Sequence, residues 1–259
     1  MSDTIRVEQA GAITVLVLNR PAAFNALEME LVDALVDRVT ALARDERVRG
    51  VVITGAGKAF CSGGDLRWML SHPQGPAGAF HALAARFHLV VLEIRRMAKP
   101  VVAAVNGVAA GGGFSFALAC DFRVLAESAV LRQAYTSNGL SIDGGGTFAL
   151  PRLVGYARAM EIAAFDAPVS ARQALEWGLA TKVAADGQAV EEAVALAARI
   201  ASGSLHSYGL AKRLLGDAFD TPLEAQLERE RAALAACGAH PDGQEGMRAF
   251  AEKRRPAFR

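Results

Sequence analysis

The stretch "PVVAAVNGVAAGGGFSFALACDF", residues 100–122, does most to limit how this chain can fold. A β-branched run closes at Asn106, three consecutive glycines follow at Gly111, Gly112 and Gly113, and an apolar helix-like segment begins at once. Glycine in front of a helix marks backbone that something approaches closely, because no Cβ stands in the way. The same order of strand, glycine turn and helix occurs earlier. "VRGVVITGAG" reads as a buried strand and "FCSGGDLRWML" as a glycine loop turning into a helix. Two ββα-like units in series point to an α/β chain built as a repeated spiral.

The flanking segments fit around these units. "IRVEQAGAITVLVLNR" alternates on both sides of an Ala-Gly turn and reads as a hairpin. "NALEMELVDALVDRVTALARD" has the i, i+3, i+4 apolar spacing of a helix. "SHPQGPAG", with two prolines and two glycines, reads as loop, and "AFHALAARFHLVVLEIRRM" after it as helix. From about Ala171 onward the periodicity is almost wholly helical. The strand-rich part thus covers residues 1–183 and a helical C-terminal region covers residues 184–259.

Composition narrows the function classes. Hydrophobic residues make up 52% of 259, enough for a sizeable core and against disorder. Lys+Arg 28 against Asp+Glu 27 leaves a formal charge of +1, so no global field draws nucleic acid or an acidic membrane. Cys61, Cys120 and Cys237 lack metal-ligand spacing and read as free thiols in a reducing compartment. The polar N-terminus has no signal-peptide core, and the longest apolar runs are broken by Asn and Gly, which points to a cytoplasmic protein without a membrane span.

A helix N-terminus exposes unpaired N–H groups and a partial positive charge, so "GGDL" and "GGGFSF" offer two sites for an anion or a developing oxyanion. Two amides converging on one oxygen would stabilise a thioester enolate or a tetrahedral intermediate. Glycine turns also serve close helix–strand packing. No Lys-Ser/Thr follows the glycines and no GxGxxG opens either helix, so neither turn is a nucleotide-phosphate loop of a known motif.

The pieces "LNRPAAFNAL", "GKAFCSGGDL", "KPVVAAVNGVAAGGGFSFALACDFRV", "LPRLVG" and "EGMRAFAEKRRPAF" occur in this order along the whole chain. Together they resemble the crotonase (enoyl-CoA hydratase/isomerase) family. The resemblance implies a ββα spiral core with a C-terminal helical trimerisation region, an acyl-CoA thioester substrate, and a homotrimer or dimer of trimers. It implies oxyanion donors at Gly64 and Gly112. It also implies a CoA channel lined by Ala23, Ala26, Ser62, Asp65 and Leu66. Phe250 and Lys253, from this or a neighbouring subunit, would complete its nucleotide end, although Lys253 also suits a solvated helix face. Neither a metal nor a cofactor beyond the CoA moiety is implied.

The acid–base groups select the reaction. The resemblance implies two glutamates in hydratases, where this chain has Ser115 and Tyr135. Asp143, ahead of Gly144, Gly145 and Gly146, resembles in position the catalytic aspartate of 1,2-epoxyphenylacetyl-CoA isomerase-like members. One base suffices to move a proton from the α to the γ carbon, so the leading expectation is an enoyl-CoA isomerase. The alternative for Asp143 is a helix cap. In 4-chlorobenzoyl-CoA dehalogenase-like members, the matching aspartate is a nucleophile. His88 would then be the base and Tyr135 would stand for an active-site tryptophan. Against this, "SGGDL" has the general family form without the large aromatic of the dehalogenases, His88 reads rather as a partly buried structural histidine, and Tyr135 as filler of the acyl pocket. A hydratase lacking the usual glutamates and a non-catalytic acyl-CoA binder remain as further alternatives. Trp68 and Met69 are expected to shape the acyl pocket, and Cys61 to be a small buried residue beside the hole.

Overall fold

The computed structural model describes residues 4–258. Strands β1 (Ile5–Ala10) and β2 (Ile13–Leu18) form the expected hairpin, with Gly11 at φ 63° in its turn. A short 3-10 turn, Pro21–Ala23, leads to α1 (Met29–Arg44). Three ββα units follow. The first holds β3 (Gly50–Gly55), β4 (Ala59–Cys61), α2 (Leu66–Leu70) and α3 (Gly75–Arg96). The second holds β5 (Val101–Val105), β6 (Val108–Ala110) and α4 (Gly112–Ala119). The third holds β7 (Phe122–Ala126), β8 (Val130–Arg132) and α5 (Gly146–Phe165). Sequence reasoning counted two such units, because a 3-10 turn at Thr136–Asn138 and a long connection separate β8 from its helix.

The remaining elements are β9 (Val169–Ser170), α6 (Ala171–Glu176), β10 (Lys182–Ala184), α7 (Ala189–Ala201), α8 (Leu205–Asp217), α9 (Leu223–Ala239) and α10 (Pro241–Ala251). The first strand of each unit joins one six-stranded sheet, order β1-β2-β3-β5-β7-β10, parallel from β2 onward. The second strand of each unit joins a four-stranded sheet, order β4-β6-β8-β9. The chain therefore steps between two sheets with each turn, which is the expected spiral.

Burial follows from this arrangement. All residues of β2, β3 and β5 are buried, as strands covered on both faces require, whereas edge strand β1 is exposed beyond Ile5. Helix α7 covers the large sheet through Ala189, Ala193, Ala197 and Ala201, whose small side chains let it lie close to β3 and β5. Packing on the core thus continues past residue 184 through α7, and α8 lies against α3. By length and composition α3 could cross a bilayer, yet it packs on α1 and buries Leu83, Phe87, Val90 and Ile94 in the core. Its start differs from the loop expected over residues 71–78. Only a short turn precedes Gly75, and Pro76 sits in the first helical turn, where its missing N–H costs nothing.

Candidate active site

Segment 20–27 is drawn against the first glycine turn by backbone hydrogen bonds. Ser62 N–H donates to the Phe24 carbonyl at 3.1 Å, Leu27 N–H to Gly63 at 2.7 Å, and Asp65 N–H to Leu27 at 2.8 Å. Arg20 reinforces the junction, donating to the Ala26 carbonyl at 2.5 Å and to Asp65 Oδ2 at 3.1 Å. Asn25, fully buried and in the left-handed region, donates to the Ala56 and Ala59 carbonyls. These bonds hold the segment of Ala23 and Ala26 beside Ser62, Asp65 and Leu66. Asp65 also caps α2 at Trp68 N–H. Burial works to raise the Asp65 pKa, but the Trp68 amide and the Arg20 guanidinium outweigh it and hold the carboxyl below 3.8. Phe250 lies in the last turn of α10 and Lys253 just beyond it, both exposed.

The two glycine turns meet back to back. Gly111 has φ 53° and ψ −125°, a conformation essentially reserved for glycine, and it caps α4. A Cβ on Gly113 would stand 2.0 Å from the Cys61 carbonyl oxygen, so the fold itself demands glycine there. A Cβ on Gly63 would lie 3.0 Å from Gly112 N, and one on Gly112 would lie 3.8 Å from Gly64 N. The amides of Gly64 and Gly112 therefore sit close together. The parallel bridge between Leu27 and Gly64 uses the N–H groups of Leu27 and Asp65, leaving Gly64 N–H outside the ladder. Gly112 is the first residue of α4, where an amide has no intrahelical acceptor.

Gly64 and Gly112 line a cavity of about 410 Å³ together with Tyr135 and Asp143. Its walls are mostly apolar: Leu27, Met69, Phe80, Leu83, Phe87 and Leu140, with His81 and Ser141 as further polar members. Asp143 is the one carboxylate among the described residues lining it. Met69 lines the cavity as expected, but Trp68 packs on the His72 ring at 5.3 Å instead. The wall supplied by α3 was not anticipated. Phe80, Leu83, Ala84 and Phe87 recur at helical spacing, and that spacing was the available signal.

Tyr135 is buried, and burial pushes its phenol up to about 12, so it stays neutral; the Ser115 hydroxyl and the Asp143 amide approach the phenol and oppose that rise. Ser115 Oγ nonetheless completes no hydrogen bond of ordinary geometry within the described residues. His88, read from sequence as a partly buried histidine, pairs with the candidate base. Its side chain is about half exposed, and Nε2 lies 2.7 Å from Asp143 Oδ1. Cys61 is fully buried, and that burial pushes its thiol up to about 12, so it is an unreactive core residue.

Comparison with known proteins agrees with this architecture. Residues 8–259 match the family described as Enoyl-CoA hydratase/isomerase. The chain is 38% identical to 1,2-epoxyphenylacetyl-CoA isomerase of Escherichia coli (strain K12), over 95% of this chain and 94% of that one. It is 32% identical to 4-chlorobenzoyl coenzyme A dehalogenase-2 of Arthrobacter sp, over 96% of this chain and 91% of the other. The crystal structure of an enoyl-CoA hydratase from Polaromonas sp. JS666 superposes with a TM-score of 0.93 at 36% identity, covering 98% of this chain and 99% of that one. The chain belongs to the enoyl-CoA hydratase/isomerase, or crotonase, family and is an enzyme of that family.

Proposed function

We propose that the protein is an enoyl-CoA isomerase that uses Asp143 as its single acid–base group. The observation that carries this reading is that Asp143 is, among the described residues, the one carboxylate lining the cavity that Gly64 and Gly112 also line. With the acyl thioester in the cavity, Asp143 takes the proton from C2 of a 3-enoyl-CoA. The C–H electron pair passes into the dienolate, whose oxygen accepts hydrogen bonds from Gly64 and Gly112 N–H. Asp143 then returns the proton to C4, leaving the double bond between C2 and C3. Each amide donor of this kind is worth about 3 kcal/mol of transition-state stabilisation. Tyr135, held neutral, supports the Asp143 backbone without competing as a base.

In this reading the CoA moiety runs along the edge formed by Ala23, Ala26, Ser62, Asp65 and Leu66. Phe250 and Lys253 of a neighbouring subunit in a trimer close over its nucleotide end. The deciding assay follows 3-enoyl-CoA turning into the conjugated 2-enoyl thioester by ultraviolet absorbance. Asp143→Asn should abolish turnover and keep acyl-CoA affinity. Full activity in that variant would overturn the assignment.

The His88–Asp143 contact favours a second reading, attack of Asp143 on a haloaroyl-CoA ring with His88 as base in the hydrolytic half. Halide release from 4-chlorobenzoyl-CoA, with no product from an alkyl enoyl-CoA, would select it.

A further inference from the structure

Asp143 owes its place to glycine. Gly144 and Gly145 both have positive φ, and a Cβ on Gly144 would stand 2.7 Å from Phe87 Cε1 and 3.1 Å from Ser115 Cβ. A Cβ on Gly145 would meet Val91 Cγ1 at 3.5 Å. The backbone after Asp143 therefore lies directly on α3, against the residues one before and three after His88. This docking puts His88 Nε2 at 2.7 Å from Asp143 Oδ1, while Oδ2 has no partner among the described residues. His88 lies outside the acyl cavity. It opens instead on a separate groove of about 370 Å³, with Val91, Leu92, Gly144, Gly145 and Phe148.

A carboxylate can only accept a hydrogen bond, so the imidazole nitrogen that faces it must carry the hydrogen. We propose that His88, through Nε2–H, is a positioning residue that pins Asp143 Oδ1 and leaves Oδ2 as the one oxygen that exchanges protons with the substrate. The inference rests on the isomerase reading above. A pinned carboxylate presents the same oxygen in the same direction at C2 and again at C4, which a freely rotating one does not. His88 itself never touches the substrate; it acts through Asp143, as an orienting partner acts through a ligand.

The test compares wild type, His88→Leu and His88→Gln, because the glutamine amide retains an N–H donor at comparable reach. With a 3-enoyl-CoA, His88→Leu should lower kcat at least tenfold with KM within twofold, and His88→Gln should recover most of the loss. Nitrogen-15 NMR of the wild-type imidazole should show the proton on Nε2. A His88→Leu kcat within twofold of wild type, a His88→Gln variant as impaired as His88→Leu, or a bare Nε2 each overturns the proposal. If wild type turns over no enoyl-CoA, the isomerase reading falls, and the NMR signature still decides whether Nε2–H holds Asp143.

Discussion

Asp121 meets Lys212 Nζ at 2.7 Å, and Asp143 meets His88 Nε2 at the same distance. The lengths are equal, but the surroundings are not. The Asp121 and Lys212 side chains are 14% and 10% exposed, those of Asp143 and His88 41% and 48%. Asp121 Oδ2 also accepts from Val101 N–H and the Tyr208 hydroxyl, and Lys212 donates to the Ile94 carbonyl as well. Three donors of its own chain thus converge on one oxygen of that carboxylate, and the pair ties α8 to the start of β5. Among the described residues, the Asp143 carboxylate meets a single side chain, His88, and Asp143 lines the cavity shared with Gly64 and Gly112. Burial, rather than bond length, separates a carboxylate that holds the fold from one free to do chemistry. Burial pushes Asp121 up and Lys212 down, the cost that a closed pair carries.

The comparison breaks most readily at Asp143. Asp143→Asn should lower kcat for a 3-enoyl-CoA by about 10³-fold or more, about 4 kcal/mol of barrier. Its unfolding free energy should stay within about 0.5 kcal/mol of wild type, since the site is half open. Lys212→Ala should do the reverse. It strands a buried carboxylate and should cost about 3–5 kcal/mol in urea unfolding. The kcat of the protein that remains folded should stay within twofold. A Lys212→Ala variant that loses turnover but not stability would show that the two pairs do not divide the work this way.

The glycine turns announced themselves in sequence because their constraint is local: a triplet, a strand before it and a helix after it. The same logic failed for the third unit, where Gly144–Gly146 stand a dozen residues beyond β8 and read as a lone turn. The pairing of His88 with Asp143 spans 55 positions and depends on how closely residues 143–146 settle on α3, which no spacing rule encodes. The α3 wall of the cavity was legible as an apolar stripe, but the sequence does not say which part of the stripe faces solvent-filled space rather than core.

Asp65 falls between the two extremes, with Arg20 at 3.1 Å and side chains 16% and 22% exposed. Its folded pKa is depressed, so its contribution to stability is present above about pH 4 and is lost as pH falls through the lower folded value. In acid titrations of unfolding free energy, Asp65→Asn should remove about 1 kcal/mol of that fall below pH 4. An unchanged acid limb would move Asp65 to the side of the exposed pairs.

Position 115 sharpens the comparison last, because there a carboxylate is absent. A Cβ on Gly146 would lie 2.6 Å from Ser115 Oγ, so the start of α5 occupies the room a longer side chain needs. Ser115→Glu should therefore cost about 1–3 kcal/mol by overpacking and confer no hydration of a 2-enoyl-CoA, read as a mass gain of one water. Ser115→Ala should have the smallest effect. The hydroxyl is buried and approaches the Tyr135 phenol short of an ordinary hydrogen bond, so unfolding free energy should change by less than about 1 kcal/mol. Turnover should stay within twofold. A tenfold fall in kcat at full stability would mean that the hydroxyl finds its partner only when substrate is bound, and Asp143 would then share the chemistry with Ser115.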